Sequence, residues 1–338
     1  MRKIVVVLAV GLAALGGCSP ARERPAAAPA SSATRTGAPT SAAPPSARPP
    51  STARPALVAW VAAEDGHSVS RIDIERRVVT LTVAVPGRPH NLAALPGGGA
   101  VVTLPGEGRV VLVDARGRRT VVQLGGYPHD VKVAGDTLVV ANTAAARLDL
   151  VSTGGRRRGG IPLRGRPHDL SVGPDGRGAW VSLEGSDQIA VVDLKARAAA
   201  RYLPTGRRPH DLLLGPDGRA WVTDWDGSLE VYAPSGRLLR EVALGEEAHH
   251  LAITPDGAKV WLTDSPGRLV FVVDTRSLRP VARLSLEGAP HHLAVVGGRA
   301  MVADNTNGTV VILDVASRRR IGKVRVGAGP HGLAALAR

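Results

Sequence analysis

One cysteine, Cys18, in a chain of 338 residues rules out an intramolecular disulfide and any cysteine-based metal cluster. Aromatic residues make up only 3%, with a single Phe, so platforms for stacking single-stranded nucleic acid are scarce. Lysine is nearly as rare, five residues in all, and the formal charge of +14 is carried by arginine. The one long apolar stretch, Ile4 to Leu15, is too short at about a dozen residues to cross a bilayer as a permanent helix. After residue 55 no helical period persists over any useful length, which excludes helical bundles and alternating α/β folds. No nucleophile triad, phosphate-binding loop or redox-cofactor motif is recognisable.

What is present begins at the N-terminus. Arg2 and Lys3 precede the apolar stretch, the charged and hydrophobic regions of a secretory signal. The stretch ends in Leu15-Gly16-Gly17-Cys18, which resembles the lipobox of bacterial lipoproteins. The resemblance implies a signal peptide over 1–17, acylation of Cys18, and an extracytoplasmic protein lipid-anchored to the bacterial cell membrane. Residues 18–54 are almost entirely Ala, Pro, Ser, Thr and Arg. Such a composition cannot bury enough surface to offset its ordering entropy, so a disordered linker is expected. Leaning toward polyproline II at about 3.1 Å per residue, it would reach roughly 110 Å.

Removing Arg2 and Lys3, and setting aside Arg22, Arg24, Arg35, Arg48 and Arg54 against Glu23, leaves the remaining domain at about +8. A basic surface suits nucleic acid or an anionic polymer. The charge runs Arg156-Arg157-Arg158 and Arg318-Arg319-Arg320, however, fall at expected turns, where a solvated run is the simpler reading. With aromatics so few, the balance is against nucleic acid, and a monomer is expected.

Self-similarity is the main signal. A Pro-His step or near-equivalent recurs at His90, His129, His168, His210, His249, His291 and His331. Its period near 40 residues is that of a four-stranded propeller blade. In the unit from His210, a short apolar strand runs to Gly215-Pro216-Asp217-Gly218, Ala220 to Asp224 forms a second, Leu229 to Tyr232 a third, and Leu239 to Leu244 a fourth. Turn residues separate them. The third strands end alike in Asp114, Asp193, Asp274 and Asp314, read as turn-starters rather than catalytic carboxylates. Six complete units lie between the histidines. Residues 56–88 supply three further strands, and Leu333 to Leu336 a fourth. The expected fold is therefore all-β, a seven-bladed β-propeller over 55–338, closed by pairing its N- and C-terminal strands and so free of open sheet edges. These motifs resemble the YVTN-type, YncE-like seven-bladed propellers over nearly all of residues 56–338.

In such a fold the histidines open the innermost strands and should ring the channel. The end of each second strand returns to the same rim, pairing His210 with Asp224, His249 with Asp264 and His291 with Asp304. Neutral imidazole and carboxylate ligate divalent metals. The candidate metal set is His210, His249, His250, His291, His292, His331, Asp224, Asp264 and Asp304, with His90, His129, His168 and Glu247 on the rim. The densest group is where Glu246-Glu247-Ala248-His249-His250 replaces the proline. The bland alternative is a purely structural ring, each histidine bonding backbone or a neighbouring Asp such as Asp130, Asp169 or Asp211. Histidine-rich propeller rims hold copper in nitrous oxide reductase, but this chain lacks that family's cysteine-bearing domain. The Pro-His steps, with Trp221-Val222-Thr223-Asp224 and Trp261-Leu262-Thr263-Asp264, are also similar to the streptogramin (virginiamycin B) lyases. That resemblance implies a histidine base, His291 or His331, near Asp304 and a bound magnesium. Two functions follow: a membrane-anchored binding or scaffold protein holding one divalent ion, copper, zinc or magnesium, or a lyase-like or lactonase-like enzyme acting on a small molecule with such an ion. An envelope protein or polymer is a further candidate partner.

Overall fold

The computed structural model describes residues 56–206 and 208–337. Cys18, the signal segment 1–17 and the linker of 18–54 lie outside the described residues. Twenty-eight strands and one 3-10 turn, Pro105–Glu107, make up the described secondary structure. The strands form seven separate four-stranded antiparallel sheets, the blades of a β-propeller. Six blades are continuous in sequence: 92–123, 128–162, 166–204, 209–243, 248–285 and 290–325, numbered here 2 to 7. Blade 1 is composite, with Pro330–Ala337 innermost, then Leu57–Ala63, Ser68–Asp73 and Val78–Ala84. Leu57 faces Ala337 and Ala63 faces Pro330, so the strands from both ends of the domain pair within one blade and close the ring.

The inner strands read as near-continuous apolar runs because both of their faces are covered by neighbouring blades. Ala220–Asp224 is buried throughout. Outermost strands alternate instead, as in Val78–Ala84, where Val83 turns inward among exposed or half-buried neighbours. The core is a set of wedges between blades. Trp60 packs with Val69, Leu92, Val102 and Val111. Trp221 packs with Leu251, Val260 and Leu262, and Trp261 with Leu293 and Val302. Each of these indoles is fully buried, worth about 3 kcal/mol of transfer free energy.

The Asp residues closing the third strands behave as turn-starters. Asp114 Oδ1 accepts from the amides of Arg116 and Arg118 at 2.8 and 2.9 Å. Asp193, Asp274 and Asp314 accept from Ala196, Ser277 and Ser317 at 2.8, 2.7 and 2.8 Å.

Candidate metal centre at the channel mouth

A β-bulge builds the site. In blades 3, 5, 6 and 7 the register between first and second strands shifts just after the residue preceding the histidine. Such a bulge re-aims a side chain. It also takes the histidine carbonyl out of the ladder, and the previous blade captures it. Thr103, Ser182, Thr223 and Thr263 donate their hydroxyls to the carbonyls of His129, His210, His249 and His291 at 2.8, 2.6, 2.8 and 2.6 Å. The seven imidazoles of His90, His129, His168, His210, His249, His291 and His331 close a ring, consecutive centroids 3.9 to 5.0 Å apart.

The bulge also corrects the expected His–Asp pairing by one residue. Asp224, Asp264 and Asp304 face Pro209, Ala248 and Pro290, not the histidines. Their carboxylates anchor loops. Asp264 accepts from the amides of Glu246 and Gly267 at 3.0 and 2.9 Å. Asp304 takes the amide and side chain of Asn307 at 3.2 and 2.8 Å, and Asp224 the hydroxyl of Ser228 at 3.0 Å. A Cβ on Gly245 would lie 1.9 Å from Asp264 Oδ2, so the glycine lets the incoming loop cross directly over the carboxylate. Among the described residues, the groups of three or more donors that converge within 4.8 Å include none of these three aspartates.

The ring divides into two unlike arcs. Around blades 2 to 5 every ring Nδ1 is occupied. His90 Nδ1 bonds the Glu64 carboxylate, and His90 Nε2 lies 2.9 Å from His129 Nε2. His129 Nδ1 donates to the His168 carbonyl at 3.1 Å, His168 Nδ1 meets Asp169 at 2.9 Å, and His210 Nδ1 donates to the His249 carbonyl at 3.0 Å. Burial alone would raise the carboxyls of Glu64 and Asp169, but the adjacent imidazoles outweigh it and hold both below their ordinary values.

Around blades 6, 7 and 1 the pattern reverses. The Nδ1 atoms of His249, His291 and His331 are buried without a hydrogen-bond partner. His292 lies beside them, 4.7 Å from His331 between ring centroids, and His291, His292 and His331 can bring three donor atoms together. Burial pushes His291 down to about 4. Burial and neighbouring imidazoles drive His249, His292 and His331 well below the ordinary value. At neutral pH these rings are therefore uncharged, with lone pairs available to a metal. Unpartnered buried nitrogens are rare and costly in a folded protein, and a ligated ion would satisfy them. Two further convergent groups are present: Glu64 with His90 and His331 bridges the two arcs, and His129 with His168 and Asp169 lies in the other arc.

One layer deeper, Asp130, Asp169, Asp211, His250 and His292 follow the ring histidines. Here His250 takes over a structural task. Asp130 and Asp211 accept from the amides of Leu170 and Leu251 in the next blade, both at 3.1 Å. His250 Nδ1 accepts from Leu293 in the same way at 3.3 Å, and its Nε2 lies 3.4 Å from Asp211. With both nitrogens engaged, His250 supports the site by stacking on His292, centroids 3.9 Å apart. Lys132 ion-pairs with Asp130 at 2.7 Å. Burial would lower its amine, but Asp130, Asp211 and Asp169 outweigh burial and raise it.

At the rim, Glu247 is half-buried and burial beside Asp264 raises its carboxyl. Trp225 stands edge-on to His210, centroids 4.3 Å apart, with the Arg208 guanidinium 5.5 Å from its ring. His168, Glu184, Asp187, Arg208 and Trp225 line a cavity of about 370 Å³ here. The residue pattern gave no warning of Glu64 or Trp225. The hydroxyls were findable: Thr or Ser stands one or two places before the second strand's end at 103, 182, 223 and 263.

No family model matches the chain, and no curated protein is similar to it. Solved structures are. Hydrazine synthase of Kuenenia stuttgartiensis superposes with a TM-score of 0.68 at 19% identity, covering 75% of this chain and 91% of that one. Apo AztD from Citrobacter koseri gives 0.67 at 13% identity, over 84% and 98%. Virginiamycin B lyase from Staphylococcus aureus gives 0.64 at 15% identity, over 72% and 87%. At such identities the likeness establishes the propeller fold alone.

Proposed function

We propose that the protein is an extracytoplasmic, lipid-anchored β-propeller of the YVTN-type, YncE-like kind that binds one transition-metal ion at the imidazole-rich arc of its channel mouth. The observation carrying this reading is the run of three buried, unpartnered Nδ1 atoms on His249, His291 and His331, with His292 beside them. A neutral all-imidazole set suits zinc or copper. Magnesium prefers oxygen ligands in octahedral array, which this arc does not offer.

The test is metal analysis of purified, untagged protein after reconstitution at neutral pH. About one zinc or copper ion per chain is expected, lost in a His249→Ala/His291→Ala double variant. Absence of bound ion would overturn the reading. The anchor has its own test: Cys18→Ala should release the protein from a membrane fraction washed at about 0.5 M salt, and retention through that wash would count against acylation.

A second reading, turnover of a small molecule at the same mouth, is favoured by the cavity beside Trp225 and Arg208. A catalytically inactive histidine-to-alanine variant of the similar virginiamycin B lyase has been captured with quinupristin. Here the mouth also joins imidazoles to a ligand-sized hollow. Loss of metal without loss of turnover would separate the two readings.

A further inference from the structure

The two sides of the propeller differ sharply in charge. Connections between second and third strands, and those between blades, lie on the histidine side. Contacts confirm the grouping, since the Glu64 amide donates across blade 1 to the Gly329 carbonyl at 2.9 Å. Connections from first to second and from third to fourth strands lie on the opposite side, where Arg219 donates to the Thr275 carbonyl at 2.7 Å. Outside the strands, the described connections on the histidine side carry eight Asp or Glu against four Arg. Those on the opposite side carry six Asp or Glu against thirteen Arg or Lys.

The acids of these connections are already engaged, and at the third-strand ends on the same side Asp73, Asp193, Asp274 and Asp314 accept from turn amides, Asp274 and Asp314 pairing also with Lys259 and Arg299. Asp114, Asp136 and Asp217 pair with Arg118, Arg158 and Arg219, each at 2.6 Å. Glu75 lies 3.4 Å from Arg299. Asp175 and Asp256 accept from turn amides of Arg177 and Ala258, both at 3.0 Å. By contrast Arg76, Arg116, Arg156, Arg237, Arg276 and Arg319 are exposed and form no ion pair among the described residues. They come from blades 1, 2, 3, 5, 6 and 7, so the surplus is spread around the whole disc rather than gathered into a stripe.

The chain also enters the domain on this side. A Cβ on Gly297, in a turn of the basic side, would touch Leu57 at 2.7 Å, and Leu57 pairs with Ala337 at the other end of the domain. We infer that the arginine-studded side opposite the histidine mouth is a docking surface for an anionic lipid bilayer, which turns the acidic mouth outward. This orientation rests on the membrane-anchored reading above. A duplex nucleic acid would call for a basic stripe tracking the phosphates, whereas a ring of arginines around a disc matches a plane of lipid headgroups. The acidic outer side would in turn concentrate cations at the mouth.

The test uses the full chain as Cys18→Ala, so that no acyl group contributes, mixed with phosphatidylcholine vesicles with or without about one third phosphatidylglycerol. The protein should sediment with the anionic vesicles, and raising the salt to about 0.5 M should release it. Reversing Arg76, Arg116, Arg156, Arg237, Arg276 and Arg319 to Glu should weaken binding by about a hundredfold or more. Reversing Arg164 and Arg268 on the histidine side should change it by less than about twofold. All variants keep the same N-terminal segment, so the comparison isolates the face. Should the sixfold variant not fold, Arg116→Gln/Arg237→Gln/Arg319→Gln serves in its place, with about a tenfold loss expected. Undiminished binding by a folded variant would overturn the inference, as would preferential binding to duplex DNA over the vesicles at equal salt. Because no acyl group is involved, the result stands apart from the membrane-release test of Cys18.

Discussion

His210 Nδ1 donates to the carbonyl of His249 at 3.0 Å, while the Nδ1 of His249, one blade further on, is buried with no partner. The same repeat position is thus a structural bolt in one blade and an unpartnered imidazole in the next. The two histidines should separate in experiment. His210→Ala should lower stability by about 1–3 kcal/mol, for the lost bond and packing, and leave metal content intact. His249→Ala or His291→Ala should remove metal at less cost to the metal-free fold. Denaturation with and without chelator, alongside metal stoichiometry, checks both halves.

The hydroxyl of Thr223 joins two blades. It accepts from the Asp211 amide at 3.1 Å and donates to the His249 carbonyl at 2.8 Å, all of it buried. Thr223→Val preserves shape but leaves that amide without an acceptor, at a cost of about 2 kcal/mol. Thr223→Ser should recover most of it. Equilibrium urea unfolding would reveal the difference, and equal midpoints for Val and Thr would refute the role.

Asp224 is fully buried and one of its oxygens has no partner. Burial, then the nearby Glu230 carboxylate, pushes its carboxyl up to about 8. The folded state therefore holds a proton that the unfolded chain gives up near pH 4. The sign follows from linkage: between about pH 4 and 8 the native state binds more protons, so this contribution is full below that window and declines as pH rises through it. Asp224→Asn, uncharged throughout, should flatten the decline and gain about 4 kcal/mol over the parent at pH 8 relative to pH 5. Thermal melts across that range measure it, and parallel curves for the two proteins would contradict it.

The blade count was legible because the histidine step and the Pro-Asp-Gly turns mark a repeat without any tertiary information. The second strand expected over Ala220–Asp224 has those bounds. The His–Asp pairing was misjudged because alternation assumes an unbroken ladder, and nothing in Pro209-His210-Asp211 announces a bulge. One extra residue moved Asp224 from the ring to the loop beneath Gly206, whose Cβ would lie 3.3 Å from its carboxylate. The division of the ring was equally hidden. Glu64 reaches His90 from the composite blade, a consequence of long-range closure, whereas His250 stands in the sequence where other blades carry Asp and only its bond to the next blade was hidden.

Closure itself gives the remaining prediction. Six blades place a side chain after the ring histidine, namely Asn91, Asp130, Asp169, Asp211, His250 and His292, while the composite blade has Gly332. Its amide donates to the His90 carbonyl at 3.0 Å. A Cβ there would sit 2.4 Å from that oxygen and 2.9 Å from Asn91 Cα, both backbone atoms of blade 2. Neither can yield without moving a strand, so Gly332→Ala should cost about 2–3 kcal/mol by overpacking. Gly106→Ala, with open space around its Cβ, serves as the control and should lie within about 0.5 kcal/mol of the parent. The strain falls on the strand that closes the ring, so the variant should also expose the segment after Pro330 to proteolysis before the other blades are cut. Even cleavage across all blades would mean that the composite blade is not the weak point of the ring.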